Sequence, residues 1–319
     1  MSTPLPTGPL SSYVTPELLT QAPTGIQWST IPPGKDVSEG QRIAEQANIC
    51  ARATALVDEA CAQPLRATVD PLILYGPGVR VSAPQTCSTQ PAVLILKRWP
   101  VLEVVSVQVT PNTLPAGQTT TVPAGSFAVQ NPAQGLYGSI APTAAAEGGQ
   151  GILVSSQYIN WAYGRNGYAI EVSYVNGWPH TSLTANVAPG ATSIAVDDCT
   201  GWAITSPVTG YTGATGTVYD AGSQEVIQCA TASVTSGPGT LTLASPLQSS
   251  HAAGTMVSSL PQSVVWAAIL FCASQALTRG ATSTTVLQAP GGKSDGGSMR
   301  AQTLAKQACD ILKPYKRVI

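Results

Sequence analysis

The stretch LPQSVVWAAILFCASQAL, residues 260–277, decides how the rest of the chain is read. Pro261 suits a helix start. From Val264 to Ala273 the run is apolar for ten residues, so the helix has no polar face to show water. A helix that is hydrophobic all round belongs in the middle of a core. Ten residues fall short of the roughly 18 that a membrane span needs. The expectation is a buried central helix over residues 261–279.

A buried helix needs partners with an apolar stripe. Residues 38–62 supply one: Ile43, Ala47, Cys50, Thr54, Val57 and Cys61 recur at spacings of three and four. Ser38 and Gln41 form a capping box at its start. Its small side chains predict close approach to another helix. Residues 298–312 supply a second stripe through Ala301, Leu304, Ala305, Ala308, Ile311 and Leu312, and Pro314 stops it. Near the N-terminus, Thr15, Pro16 and Glu17 fit the start of a short helix.

Between these helices the chemistry changes. Residues 64–180 carry β-branched and aromatic runs such as AVLILKRWPVLEVVSVQV and YAIEVSYVNGW, broken by turn residues. Residues 183–258 hold four short strand candidates (ATSIAV, GTVYDA, QEVIQCATASV, GTLTLASPL) between turn clusters. Helix chemistry resumes straight after them, so they read as an inserted small all-β sandwich or barrel. The expected fold class is α+β: a helical bundle built from N- and C-terminal helices, a β-rich middle, and the insert. The domains are 1–182 plus 259–319 as one core, with 183–258 inserted into it.

Only 10 % of the 319 residues are charged, although 43 % are hydrophobic. Ordinary domains carry about 25 % charge. Disordered chains need low hydrophobicity, so that class is excluded. Two explanations remain: a codon bias towards Ala, Gly, Thr and Pro, or a surface covered by partners, since interface cores are depleted of charge. The charges are segregated. Residues 260–319 hold seven bases against Asp295 and Asp310, while residues 183–258 hold four acids and no base. Codon bias alone would thin charge evenly, so covered surface is favoured. The start MSTPLPTGPL lacks a basic opening and an apolar core, so no signal peptide is expected. Seven cysteines without a CxxC spacing read as free thiols in a reducing compartment.

No catalytic constellation emerges. His180 and His251 follow strand candidates in turn-like settings, and no GxSxG accompanies them. Asp58 and Glu59 are neighbours on a helix and point apart, and Asp197-Asp198 precede a turn that aspartate commonly closes. Gly292-Lys293-Ser294 ends like a P-loop, but the position five before Gly292 is Leu287 and the preceding segment is polar. Residues 280–297 therefore read as a loop, with Lys293, Ser294 and Asp295 as interface candidates. Neither a metal nor an organic cofactor is expected, and the chain does not read as an enzyme.

Several motifs, in their order, resemble the head–tail connector (adaptor) proteins of long-tailed bacteriophages. They are YVTPELL at 13–19, the helix ending VDEAC, KRWPVLEVVSVQV at 97–109, YAIEVSYVNGWP at 168–179, LPQSVVWAAILFCASQAL at 260–277 and LAKQACDILKPYKRV at 304–318. The insert is similar to a small β module of phage structural proteins. The resemblance implies a structural virion protein at the capsid vertex or neck, made in the host cytoplasm. Such adaptors form a ring, usually of twelve copies, beneath the portal protein. The ring extends the DNA channel and offers a platform to the stopper or tail. The expected partners are other copies of the chain, the portal, the stopper or tail-completion protein, and passing DNA without sequence-specific binding; no membrane is involved. Family adaptors dock on the portal through their C-terminal segment, which nominates Lys313, Tyr315, Lys316 and Arg317. On this reading, removal of residues 313–319 leaves the fold intact and weakens portal binding. Two rivals remain: another neck or tail-completion protein, and a carbohydrate-binding or adhesin-like β protein reading glycans through Trp202, Tyr211 and Tyr219.

Overall fold

The computed structural model describes residues 12–32, 36–75, 92–96, 98–111, 119–122, 127–129, 151–154, 168–206, 211–220, 222–280 and 296–316. Four α-helices lie among them: α1 (Pro16–Gln21), α2 (Glu39–Cys61), α3 (Gln262–Thr278) and α4 (Gly296–Leu312). The Thr15 hydroxyl caps α1, and Pro16 opens it. The Ser38–Gln41 capping box starts α2, with both reciprocal hydrogen bonds formed. Ala62, in the left-handed conformation, ends that helix.

The fifteen strands described are β1 (Thr68–Tyr75), β2 (Ala92–Ile95), β3 (Val101–Pro111), β4 (Thr120–Thr121), β5 (Phe127–Val129), β6 (Gly151–Val154), β7 (Tyr168–Asn176), β8 (His180–Ser182), β9 (Ser193–Val196), β10 (Thr205–Ser206), β11 (Tyr211–Thr212), β12 (Thr215–Tyr219), β13 (Glu225–Ala232), β14 (Gly239–Leu243) and β15 (Met256–Ser258). They form antiparallel sheets in the orders β1-β7-β3-β4, β2-β6-β5, β8-β15-β12-β13-β14-β9 and the pair β10-β11. In β3, register shifts fall between Val101 and Glu103 and between Val104 and Ser106; Val105, at the second, stands 57 % exposed on a strand whose Val101, Val107 and Val109 are buried. An extra residue in one strand re-aims side chains in this way.

The six-stranded sheet curls into a half-barrel. Its edge strands β8 and β9 approach each other at the bridge Leu183–Val196, where Thr184 N donates to Ala195 O. Alternate residues of β9, β13 and β14 face inward, as period-two strands with one dry face require. Trp202 fills the interior and is fully buried. Gly216 is needed opposite it: a Cβ there would lie 2.6 Å from the indole ring. This core includes Ala67, Leu102 and Val175, so β3 and β7 pack into it as well.

The mixed α+β character holds, but the expected helical bundle is corrected: the chain is β-rich and its terminal helices do not close into a bundle. Helix α3 packs against both α4 and α2, and α2 and α4 meet more lightly. What completes the burial of α3 lies outside the α-helices: Tyr13, Val14, Ile26, Trp28 and Ile31 from the N-terminal segment, with Trp178, Tyr219 and Met256 from the β part, share its core. Periodicity shows which face of a helix is dry, not whether a helix or a strand covers it. Tyr13 is the main tie. Its hydroxyl donates to Asp58 Oδ1 (2.7 Å) and accepts from the amides of Leu65 and Arg66. Burial, then the Asp58 charge, pushes the phenol well above its ordinary pKa.

Candidate functional site

The segments that carry the resemblance converge although they lie far apart in sequence. Trp99, from KRWPV, and Trp178, from VNGWP, meet edge to face with centroids 5.7 Å apart. Tyr315, from KPYKRV, stacks on Trp99 at 6.2 Å and meets Trp178 edge-on at 5.7 Å. Aromatic pairs at such separations add about 0.5–1.5 kcal/mol each beyond area burial. The Tyr315 hydroxyl is 2.7 Å from Ser263 Oγ at the start of α3. Buried Gln63 bridges the cluster: its Nε2 donates to Tyr315 O (3.0 Å), and its Oε1 accepts from the Trp99 amide. Gly177 (φ +91) makes the turn that delivers Trp178, and only glycine fits there, because a Cβ would collide with the Arg66 backbone.

This geometry sorts the nominated C-terminal residues. Pro314 has no amide to continue α4, so the chain leaves it in a 3-10 turn, Lys313–Tyr315. Tyr315 is buried, an interior anchor and not an exposed docking ring. Lys313 and Lys316 are exposed. Lys313 pairs with Asp310 at 2.7 Å; the mutual hydrogen bond lowers the carboxyl pKa and raises that of the ammonium. Arg317, Lys293, Ser294 and Asp295 lie outside the described residues. Gln63 and Ser263 escaped the sequence reading, since nothing in their local pattern separates them from other polar residues beside helix ends. Trp99 and Trp178 did carry a signal: each precedes a proline at a strand end.

The remaining candidates have internal partners. The His180 ring lies 2.9 Å from Ser258 Oγ and 3.1 Å from Ser12 O. The buried His251 ring sits between Asp220 (3.1 Å) and Glu225 (2.6 Å). Burial acts to raise the Glu225 pKa, but hydrogen bonds from the Gln248 and Ser249 amides and from His251 outweigh it and leave the group lowered. Asp197 accepts from Thr181 and Ser182, and Asp198 from Thr200 and the Gly237 amide. All four acids of residues 183–258 are thus tied within the half-barrel, so the acidic balance of this segment does not stand out as a free negative patch. Trp202, Tyr211 and Tyr219 are buried and form no aromatic platform. Six cysteines, at 50, 61, 199, 229, 272 and 309, are free thiols. Burial pushes Cys61 up to about 12 and Cys229 up to about 11, and such thiols are poor nucleophiles at neutral pH.

A cavity of about 180 Å³ lies between Ser12–Pro16, α2 and the half-barrel, lined by Cys50, Thr181, Ser182 and Met256 among others. It is smaller than the roughly 300–1,000 Å³ of ordinary ligand sites. Among the described residues no cluster of His, Cys, Asp and Glu could hold a metal ion, and no helix is long and apolar enough to cross a membrane. Comparison with known proteins finds no matching family model, no matching characterised protein and no matching solved structure.

Proposed function

We propose that the chain is a structural virion protein, a head-to-tail adaptor that assembles as a ring beneath the portal and presents its C-terminal segment to it. The observation that carries this reading is the aromatic anchor. Three motifs of the adaptor resemblance meet there, and they hold Tyr315, close to the chain end, in the core. An anchored root lowers the ordering cost of a docking tail, because fewer residues lose freedom on binding. Exposed Lys313 and Lys316 flank buried Tyr315, so the basic groups are offered while the ring is retained.

The geometry also changes the test. Removal of residues 313–319 would take Tyr315 out of the core and damage the fold, contrary to the expectation from sequence. The informative variants keep Tyr315: Lys313→Glu with Lys316→Glu, and removal of residues 317–319. Each should leave the far-ultraviolet circular dichroism and melting temperature near those of the parent and reduce capture by portal rings in a pull-down. Undiminished capture by both variants would remove the tail-docking role.

A further inference from the structure

The two buried histidines face different chemistry. His180 Nδ1 lies 2.9 Å from Ser258 Oγ, and its Nε2 lies 3.1 Å from Ser12 O. The Ser258 oxygen accepts from the Leu260 amide, which leaves its hydroxyl proton for Nδ1. One ring proton, on Nε2, then satisfies both nitrogens, and a neutral imidazole fits. His251 has no such arrangement. Its side chain is fully buried, with Nδ1 3.1 Å from Asp220 Oδ2 and Nε2 2.6 Å from Glu225 Oε1. Glu225 also accepts from the amides of Gln248 (2.8 Å) and Ser249 (3.2 Å), the donor set of an ionised carboxylate. An ionised carboxylate accepts and cannot donate, and a neutral ring has a single N–H. A neutral His251 would therefore turn one lone pair towards a carboxylate oxygen across a dry contact. The ring is enclosed by the end of β12, the start of β13 and the backbone of Val187, which exchanges two hydrogen bonds with the His251 main chain. Among the described residues, Asp220 and Glu225 are the titratable groups that these elements bring to it. Residues 183–258 contain no lysine or arginine.

We propose that His251 is held as an imidazolium in the folded chain and that its Nδ1 proton works as a latch, tying Asp220 at the end of β12 to the segment 248–251 and letting it go as pH rises. A buried charge needs paired partners, and the two carboxylates supply them on opposite sides of the ring. The two arms are unequal. Glu225 makes the shorter contact and keeps its two amide donors whatever the ring does. Asp220, its side chain 23 % exposed, has the ring as its side-chain partner among the described residues and can turn to water. Loss of a proton therefore falls on Nδ1 and frees Asp220, while Nε2 still donates to Glu225. Histidine is the side chain whose charge changes nearest neutral pH, so a latch of this kind responds to modest changes of medium. It lies within the half-barrel and stands whether or not the chain forms a ring.

The test reads the ring nitrogens of the isotopically labelled full chain by NMR at pH 7. The chain has two histidines, and His251→Gln assigns their signals by removing one set. In the parent, both His251 nitrogens should carry a proton. On titration towards alkaline pH, the Nδ1 proton should leave before the Nε2 proton. Asp220→Asn should give a neutral ring protonated on Nε2 at pH 7 with the parent's circular dichroism, because the amide can donate to a bare Nδ1. A bare His251 nitrogen in the parent at pH 7, or loss of the Nε2 proton first, would overturn the latch. So would an Asp220→Asn chain whose His251 stays doubly protonated, since the second carboxylate would then play no part. Should that variant not fold, the parent titration decides alone.

Discussion

Replacement of Tyr315 by alanine tests whether the aromatic cluster anchors the chain end. The substitution removes a buried ring, two aromatic contacts and the hydroxyl bond to Ser263, and it loosens the turn whose carbonyl satisfies Gln63. Truncation of a fully packed aromatic costs about 3–5 kcal/mol. Residues 313–316 follow the last helix and can detach without unfolding the sheets, which caps the loss near the free energy of local opening. The expected cost is therefore about 2–4 kcal/mol, at the low end of the truncation range. Tyr315→Phe keeps the ring and loses one hydrogen bond, worth about 1 kcal/mol. Urea unfolding followed by tryptophan emission measures both, because Trp99 and Trp178 report directly on the cluster. Native emission of the alanine variant should shift to the red as these rings meet water. A loss below about 0.5 kcal/mol, under the cost of a single hydrogen bond, together with unchanged emission, would refute the anchor.

Two further predictions concern the half-barrel. Gly216→Ala forces a methyl group against the Trp202 ring and should cost about 1–3 kcal/mol by overpacking; denaturation at or above parental stability would show that the interior is looser than described. Glu225 has its folded pKa held below its ordinary value of 4.5, so its contribution is present above that range and fades as pH falls through the lowered value. Glu225→Gln should therefore melt below the parent at pH 7, with the gap closing towards pH 3. A gap independent of pH would contradict the charged role given to the carboxylate.

Local signals in the sequence carried the element boundaries. The Thr15 and Ser38 caps, Pro261 and Pro314 each act through the backbone of one turn, and the described helices begin or end within a few residues of them. The strand candidates ATSIAV, QEVIQCATASV and GTLTLASPL were likewise legible and became β9, β13 and β14. What escaped was long-range. The stripe on α2 did not say that Tyr13 and Ile49 would share a core with Trp178 and Met256, so a helical bundle was expected where loop and sheet help to bury the helices. Tyr315 sits among basic residues, and a tail of that composition reads as exposed; only its partners Trp99 and Trp178, well over a hundred residues away in sequence, reveal it as core. The acids at 197, 198, 220 and 225 weigh on the charge balance of this segment, but the amides, hydroxyls and His251 ring that donate to them leave no mark in composition.

On the proposed function, copies of the chain stand side by side in a closed ring on the portal. Mass and symmetry measured on the full chain, alone and mixed with portal rings, test this most directly. Light scattering with negative-stain images should show a closed ring of copies, either free or formed on the portal. A chain that stays monomeric in the presence of portal, at concentrations where both are soluble, would contradict it.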